Sequence, residues 1–320
     1  MSLAFDGHDL SLCGVVVTFH PDSTIEATLR LLVAECGKIL VIDNGSDEAV
    51  CRRMAAVAGV EVIALRINLG VAAALNLGAL RAKELGATWM VTFDQDSRPR
   101  PGMVRQLWST HIRLPAAAVL GPCVEDAIPG EHPYRWVCRH RRWPCLFERR
   151  DATLGDLDQV TSTITSGSLV DLDVWTSLGG FDEFLFIDYV DTEYCLRVIG
   201  TGRTVAVSAG AVLEHRLGHR QSRQLLGQKF RPTHHAAFRH YYISRNRVAL
   251  WRRHALGEPH WALFDAGFAI YNGFRVFAFE SERARKLKAM VLGTWDGLCG
   301  RSGSIPVRRL RSIGPVEGAA

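Results

Sequence analysis

The sequence predicts an α/β protein: a doubly wound, mostly parallel sheet followed by a basic, helical C-terminal region. Short apolar runs rich in valine alternate with segments of helical apolar spacing, which is typical of a parallel sheet. Two of these runs lead directly into aspartate, and positive charge is concentrated in the last third of the chain. The 320 residues, 48% of them hydrophobic, suffice for one large core or two smaller ones.

Four apolar runs have the composition of buried strands. They are Leu12–Phe19, Lys38–Ile42, Val60–Leu65 and Trp89–Phe93. Between them, Thr24–Ala34 and Leu75–Leu85 have the apolar spacing of helices. The second run leads into D-N-G-S and the fourth into D-Q-D-S. We therefore expect polar side chains at the carboxyl edge of the sheet, where open α/β sheets bind their ligands.

The rest of the chain divides by periodicity and charge. Residues 122–160 have no clear period and include an Arg/Trp-rich stretch, Arg135–Arg150, which we expect to cross the surface. Residues 216–320 are mainly helical in pattern and hold 19 Lys and Arg against 6 Asp and Glu, whereas residues 1–215 hold 19 against 27. We predict two domains, 1–215 and 216–320. The +13 of the second indicates an anionic partner or a solvated basic face.

Composition excludes several protein classes. The chain is too apolar for a disordered protein, and its eight cysteines include no C-x-x-C pair, so neither a zinc ribbon nor a disulfide framework is indicated. The N-terminus has no basic and apolar leader, which favours the reducing cytoplasm. Trp261–Phe279 is apolar but interrupted by Asp265, Asn272 and Arg275, so it is a poor membrane span.

The clearest candidate site is the D-Q-D triplet after the fourth predicted strand. Asp94 and Asp96 flank a single residue there. Carboxylate oxygens at such a turn suit Mg²⁺ or Mn²⁺, and the cation would neutralise a diphosphate leaving group. The alternative is a solvated turn, because aspartate is common in turns.

Seven short motifs follow one another between residues 15 and 197. They are V-V-V-T-F-H, V-I-D-N-G-S, N-L-G-V-A-A-A-L-N-L-G from Asn68, F-D-Q-D-S, T-S-G-S from Thr165, G-G-F-D-E from Gly179 and F-I-D-Y-V-D-T-E-Y-C-L-R from Phe186. Together they resemble the family-2 glycosyltransferases of the GT-A fold. The F-I-D-x-V-D-T-E-Y form, with L-E-H-R-L-G from Leu213, resembles the bacterial rhamnosyltransferases, in particular those of rhamnolipid synthesis.

The resemblance implies a set of donor-binding residues. Asp43 would contact the nucleotide base or ribose, with Asn44 and Asn68 nearby, and Asp94 would approach the ribose and the metal. Gly167, between two serines, would let the backbone approach the sugar. For Asp43 and Gly167 an ordinary turn is the alternative.

The resemblance also implies a metal shell and a catalytic base. Asp96 would bind the metal with Asp94, and His215 matches a position that completes the shell in some family members.

Asp191 matches the carboxylate that takes the acceptor proton. Because many family members have Glu-Asp where this chain has Val190-Asp191, Asp188 and Glu193 remain rivals for the base. A helix that began at Asp188 would place Asp188 and Asp191 on one face, and neighbouring carboxylates raise one pKa. Acids that stabilise a helix N-terminus are the alternative.

Two features of the C-terminal third allow more than one interpretation. Tyr242, Arg245 and Asn246 form a Y-x-x-R-N pattern also found in related enzymes, which we expect to pack a helix on the core. Residues 261–292 interleave aromatic and basic side chains. That pattern suits contact with an anionic membrane, or a core-packing helix followed by a solvated basic one.

The expected activity is inverting transfer of L-rhamnose from dTDP-L-rhamnose to a lipid-linked, rhamnosylated acceptor, at the inner face of the cytoplasmic membrane. A rhamnosyltransferase of cell-surface polysaccharide synthesis and a non-catalytic membrane adaptor are alternatives. A dinucleotide-dependent oxidoreductase would need G-x-G-x-x-G after the first strand, which is absent. The glycine-rich loop of a nucleotidyltransferase is also absent, and no recognised module supports nucleic-acid binding.

Overall fold

The computed structural model confirms the predicted α/β class with a mainly parallel sheet. It describes residues 12–126, 134–215, 223–225, 228–230 and 234–314. The strands are β1 (Leu12–Thr18), β2 (Ile39–Asp43), β3 (Val60–Ala64), β4 (Trp89–Asp94), β5 (Arg98–Pro99), β6 (Ala117–Asp126), β7 (Arg135–Arg139), β8 (Phe147–Asp151), β9 (Ser168–Asp171), β10 (Thr204–His215), β11 (Arg223–Leu225) and β12 (Gln228–Phe230).

The helices alternate with the first strands and then dominate the C-terminal third. They are α1 (Ile25–Cys36), α2 (Glu48–Ala55), α3 (Val71–Glu84), α4 (Met103–Arg113), α5 (Leu172–Ser177), α6 (Val190–Gly200), α7 (Ala237–His254), α8 (Pro259–Phe279), α9 (Arg283–Leu298) and α10 (Val307–Ile313). Two short 3₁₀ turns, Ala152–Leu154 and Glu183–Leu185, complete the described elements.

One eight-stranded sheet organises the N-terminal part, in the order β3-β2-β1-β4-β9-β6-β10-β5. The first four strands are parallel to one another, so their carboxyl ends lie at one edge. β9 runs antiparallel to both β4 and β6, whereas β10 runs parallel to β6. Because the chain winds from β1 out to β3 and then returns to β4, the strand order reverses between β1 and β4.

The predicted strands β1 to β4 and helices α1 and α3 are confirmed to within a few residues. The apolar runs of β1, β2 and β4 are almost entirely buried, which is why they could be identified from composition. α2 was not predicted. Only Cys51 and Met54 of this eight-residue helix are buried, and two apolar positions over two turns are too few to identify a helix from spacing.

The helix after Ile187 does not begin at Asp188, as the pKa argument for Asp188 and Asp191 required. α6 begins at Val190, and the two residues before it, Asp188 and Tyr189, have φ angles of 64° and 66°. A left-handed backbone cannot continue into a right-handed helix, so Asp188 and Asp191 do not share a helix face. The pKa argument based on neighbouring carboxylates therefore has no structural basis.

The described residues form two compact units. One contains those up to 138, 149–183 and 190–215, and the other contains 139–148, 184–189 and the C-terminal elements from β11 onward. The second unit therefore includes two segments that precede residue 216 in the chain. The sequence does not reveal these insertions, because the segments are short and have no period of their own.

In the second unit α7 and α9 pack closely through two glycines. A Cβ atom on Gly293 would lie 2.2 Å from the Tyr241 carbonyl oxygen, and one on Gly297 would lie 2.6 Å from the Arg245 carbonyl oxygen. Only glycine permits the two backbones to approach this closely. Among the described residues, no helix combines the length and the hydropathy needed to cross a bilayer, as the polar interruptions of α8 predicted.

Candidate active site

The candidate site lies at the carboxyl edge of the parallel strands, where the strand order reverses. The register pairs Thr18 of β1 with Asp43 on one side, and Val17 of β1 with Asp94 on the other. The two strand-terminal aspartates therefore flank the end of β1. Ligands of open α/β sheets bind at such reversals of strand order.

Both carboxylate oxygens of Asp43 accept hydrogen bonds from the turn that follows it and from β1. Its Oδ1 accepts hydrogen bonds from the backbone N–H groups of Gly45 (3.1 Å) and Ser46 (2.7 Å). Its Oδ2 accepts from the hydroxyls of Thr18 (2.7 Å) and Ser46 (2.6 Å), and the residue is 0% exposed. The geometry thus favours the turn-stabilising alternative for this residue over a contact with the nucleotide.

Asn44 and Asn68 connect the loop after β2 to the loop before α3. The Asn44 side chain is buried, donates to the Gly70 carbonyl (3.1 Å) and accepts from the Leu69 N–H (3.1 Å). Asn68 is exposed, and its Oδ1 caps the Gly70 N–H at 2.9 Å. Both residues were predicted to lie near the nucleotide-sugar donor, but only Asn68 lies at the surface.

The D-Q-D-S turn is fixed by its own polar side chains. The Ser97 N–H donates to the Asp94 carbonyl (3.0 Å), and the Asp94 N–H donates to the Ser97 hydroxyl (2.8 Å). The Gln95 side-chain oxygen accepts from the Phe19 N–H at the end of β1 (2.8 Å). These bonds leave the Asp94 side chain half-buried and the Asp96 side chain exposed. The sequence did not single out Gln95 or Ser97.

The predicted metal ligands are Asp94 and Asp96 of this turn and His215 at the end of β10. β10 pairs with β5 so that Glu214 lies opposite Arg98, which brings the end of β10 beside the D-Q-D-S turn. The backbone of His215 ends β10, but its side chain lies outside what the structure describes. Within the described part of the chain, no three His, Cys, Asp or Glu side chains are grouped as a metal site requires. The oxygen donors of Asp94 and Asp96 have the chemistry that Mg²⁺ and Mn²⁺ prefer.

Gly167 lies in a turn that is hydrogen-bonded to the end of β4 and to the D-Q-D-S turn. Its φ angle is 76°, its N–H donates to the Thr92 carbonyl (2.6 Å), and a Cβ atom there would lie 2.9 Å from Pro122 Cγ. The neighbouring Ser166 hydroxyl lies 2.5 Å from the Ser97 hydroxyl. The Cβ direction at Gly167 thus faces the core, which favours the ordinary-turn alternative over an approach of the backbone to a sugar.

Asp191 and Glu193 have different environments at the start of α6. The Asp191 side chain is half-buried, accepts from the Thr192 N–H (2.7 Å) and lines a small cavity with Thr163 and Cys195. Glu193 is 2% exposed, and its two carboxylate oxygens each lie 2.9 Å from Arg197 Nε. Glu193 is therefore committed to an ion pair that stabilises α6. Burial raises the pKa of the Cys195 thiol to about 12, so it is not a nucleophile.

Asp188 lies in the second unit, where its carboxylate forms an ion pair with Arg239 of α7. The carboxylate is 11% exposed, and Arg239 was not among the residues that the sequence singled out. An isolated arginine in a strongly basic segment carries no pattern that could have identified it. Tyr242, Arg245 and Asn246 are buried on α7, as expected for a helix face that packs on the core.

Comparison with known proteins identifies the family. Residues 15–172 match the model of glycosyl transferase family 2. The dTDP-rhamnosyl transferase RfbF of Shigella flexneri is 30% identical over 295 residues, which cover 92% of this chain and 97% of that protein. The chain is a family 2 glycosyltransferase. The galactofuranosyltransferase GlfT1 of Mycolicibacterium smegmatis is 28% identical over 69% of this chain and 76% of its own length.

Solved structures confirm the fold of this glycosyltransferase. S. aureus TarS 1–349 superposes with a TM-score of 0.55 at 12% identity, covering 90% of this chain and 80% of that one. The same protein in complex with UDP-GlcNAc gives a TM-score of 0.57 at 12% identity, over 95% and 84% of the two chains. At this identity the likeness shows a shared GT-A-like fold. The resemblance to rhamnosyltransferases is confirmed by the Shigella relative, whereas the rhamnolipid assignment stays a prediction.

Replacing Asp43 separates its two interpretations. Asp43→Ala should lower the free energy of unfolding of the ligand-free protein by about 1–3 kcal/mol, because four donors, among them the buried Thr18 hydroxyl, lose their acceptor. The midpoint of thermal unfolding should fall by several degrees, whereas Asp47→Ala, at an exposed position of the same loop, should leave it unchanged. An unchanged midpoint combined with lost nucleotide binding would show that Asp43 acts on the donor instead.

Proposed function

We propose that this glycosyltransferase transfers L-rhamnose from dTDP-L-rhamnose to an acceptor hydroxyl, with inversion at the anomeric carbon. The observation that carries the proposal is the 30% identity to a dTDP-rhamnosyl transferase over nearly the whole of both chains. For the acceptor we propose a rhamnosylated hydroxy-fatty-acid lipid. A growing cell-surface polysaccharide fits the same relatives equally well, because the family match does not discriminate between acceptors.

In the proposed reaction, Asp191 accepts the proton of the acceptor hydroxyl. The acceptor oxygen attacks the anomeric carbon on the face opposite the nucleoside diphosphate. The bond from that carbon to the diphosphate oxygen breaks, dTDP departs with the electron pair, and the configuration at the carbon is inverted. The half-buried, partly solvated position of Asp191 suits a group that receives a proton from a bound substrate. Asp188 remains the rival base, although its carboxylate is engaged in an ion pair with Arg239.

Asp94 and Asp96, with His215, are the residues proposed to hold Mg²⁺ or Mn²⁺. When bound, such a cation stabilises the negative charge that develops on the departing diphosphate. The support is local: the D-Q-D-S turn presents Asp96 to solvent, and the β5–β10 pairing brings the backbone at 215 to the same turn.

A panel of nucleotide sugars tests the donor. Purified enzyme with a rhamnolipid precursor or a polysaccharide acceptor should transfer rhamnose from dTDP-L-rhamnose, and product formation can be followed by mass spectrometry. UDP-GlcNAc is the matched control donor, since TarS has been solved in complex with it. Transfer from another nucleotide sugar, with none from dTDP-L-rhamnose, would contradict the sugar assignment but leave the family intact.

The metal proposal predicts the behaviour of an Asp96 variant. Asp96→Asn removes a charged oxygen ligand, so transfer should be abolished and dTDP binding by calorimetry should lose its dependence on added Mg²⁺ or Mn²⁺. Asp173→Asn, at a side chain that is 85% exposed, is the control and should behave as the wild type. Full activity of Asp96→Asn, or of the wild type in a chelator, would refute the assignment.

The base assignment predicts a contrast between two variants. Asp191→Asn keeps the shape but removes the basicity, so kcat should fall by about a hundredfold or more while dTDP binding persists. Asp188→Asn should keep more activity than Asp191→Asn under the same conditions. If the large loss of kcat occurs in Asp188→Asn and not in Asp191→Asn, the base is Asp188.

Peripheral contact with an anionic membrane is the second part of the proposal, and its support begins with α8. This helix has its polar side chains inside and its apolar side chains outside. His260, Asp265, Asn272 and Arg275 are buried. The exposed large side chains of α8 are all apolar or aromatic: Leu263, Phe268, Ile270, Tyr271, Phe274 and Phe277. Such an exposed apolar face is typical of a helix that contacts another surface.

The charges of the second unit are distributed to suit an anionic surface. Of the five acidic residues between 234 and 314, only Glu282 is exposed, and the others take part in buried ion pairs or hydrogen bonds. Seven cationic side chains in the same range are exposed: Arg252, Arg253, Arg283, Lys288, Arg301, Arg308 and Arg311. On α9, Lys288 shares one exposed stripe with Val291, Trp295 and Leu298. Basic and apolar side chains side by side favour a lipid headgroup region over a second protein copy.

Vesicle binding tests this contact. The full chain should co-sediment with vesicles that contain phosphatidylglycerol but not with pure phosphatidylcholine, and binding should weaken with salt because charges are screened within ~10 Å at 0.1 M. The double variant Ile270→Ser/Phe277→Ser should bind at least about tenfold more weakly, since each side chain contributes roughly 1.5–3 kcal/mol when buried.

Leu256→Ser is the matched control, because Leu256 is 100% exposed and precedes α8. It should bind vesicles as the wild type does. Binding that is insensitive to salt and to the double variant, or a concentration-dependent dimer that the double variant abolishes, would contradict the membrane proposal.

A further inference from the structure

Phe184–Tyr189, the segment that leads directly into Val190 and Asp191, has an unusual backbone. Phe186, Asp188 and Tyr189 have φ angles of 62°, 64° and 66°. The left-handed region costs a residue with a side chain roughly 1–2 kcal/mol, so three such residues in six are not expected from the local sequence. A conformation of this kind persists only where surrounding groups determine it.

Asn246 of α7 is one of the groups that determine it. Its side-chain nitrogen lies 2.9 Å from the Leu185 carbonyl oxygen, 2.8 Å from that of Ile187 and 2.9 Å from that of Asp188. The amide oxygen of Asn246 accepts from Arg245 Nε at 3.0 Å. Because arginine has donors only, this bond fixes the orientation of the amide and directs its NH₂ group at the three carbonyls.

Arg245 holds the beginning of the same segment. One of its terminal nitrogens donates to the carbonyl oxygens of Phe184 (3.0 Å) and Leu185 (2.9 Å), and the other donates to that of Gly303 (2.5 Å). Arg245 and Asn246 are both 0% exposed. Buried polar groups of this kind are costly unless they are paired. Here Arg245 Nε donates to Asn246, and the other donors of the two side chains bind the backbone of this segment and of Gly303.

The end of the segment is held from the same side. The Tyr189 hydroxyl donates to Asp265 Oδ1 at 2.5 Å. Asp265 Oδ2 in turn accepts from Arg247 Nε (2.8 Å) and Trp251 Nε1 (2.8 Å), both on α7. Burial raises the pKa of the Tyr189 hydroxyl, so it stays a donor at neutral pH.

We infer that Arg245 and Asn246 are positioning residues for the catalytic carboxylate. By fixing the carbonyls of residues 184–188, they set the backbone that carries Asp188 and enters α6 at Asp191. This inference rests on the proposed function, because it assigns the segment a task in catalysis. It changes the expected role of the Y-x-x-R-N pattern from core packing to control of the acceptor-activating segment.

Asn246→Leu tests the inference. Leucine keeps the branched shape but has no donor and adds no charge, so three carbonyls of the segment lose the two N–H donors that they share. We expect kcat to fall by about ten- to a hundredfold, whereas the Kd for dTDP stays within about twofold of the wild type. The acidic limb of the kcat–pH profile should also shift, because the base no longer sits in its normal environment. A loss of stability alone would move neither the pH profile nor kcat per folded molecule.

A second, milder variant keeps the inference testable if Asn246→Leu does not fold. Tyr189→Phe removes only the hydroxyl that donates to Asp265, so it should fold and show a smaller fall in kcat with unchanged dTDP binding. Ser244→Ala, at a buried position of α7, is the control and should keep the wild-type kcat. Wild-type kcat and pH profile in folded Asn246→Leu and Tyr189→Phe would overturn the inference. Retained activity in both Asp191→Asn and Asp188→Asn would instead refute the assignment of the base.

Discussion

The parallel pairing of β1 with β2 on one side and β4 on the other is the constraint on which the candidate site depends. It makes three strands end at one edge and places Asp43 and Asp94 on either side of Thr18 and Val17. The loops after β1 and β4 are joined by a hydrogen bond from the Phe19 N–H to the Gln95 side-chain oxygen. The position of Asp96 follows from this edge and from the hydrogen bonds that close its turn.

Several polar residues of the sequence motifs bind other groups of the protein rather than solvent. Asp43 caps a turn, Glu193 pairs with Arg197, and Asn246 binds three carbonyls. Buried polar groups require such partners, so residues that look catalytic in a sequence are often fixed in this way. Asp96 is exposed and Asp191 is half-buried, and both remain suited to contact with a ligand. The second unit shows the same principle, with acids inside and cations at its surface.

The sequence predicts well what neighbouring residues determine. β1 to β4 were found because each is a short apolar run buried along its length. The conformation of Asp188 could not be found, because donors that follow it by about sixty residues hold the carbonyls there. The sequence also could not show that α8 buries its polar side chains and exposes its apolar ones. Asp265 and Arg275 stand there as interruptions of an apolar stretch, and only the packing shows that they are buried.

Amide hydrogen exchange with and without dTDP and Mg²⁺ tests most directly whether the donor binds at this edge. The account predicts that dTDP slows exchange in the loops after β1 and β4, at residues 19–22 and 95–98, and that removing Mg²⁺ reduces the effect at 95–98. Amides of the second unit from α8 to α10 should be unaffected. Slower exchange confined to other parts of the chain, with none in these two loops, would contradict the proposed donor site.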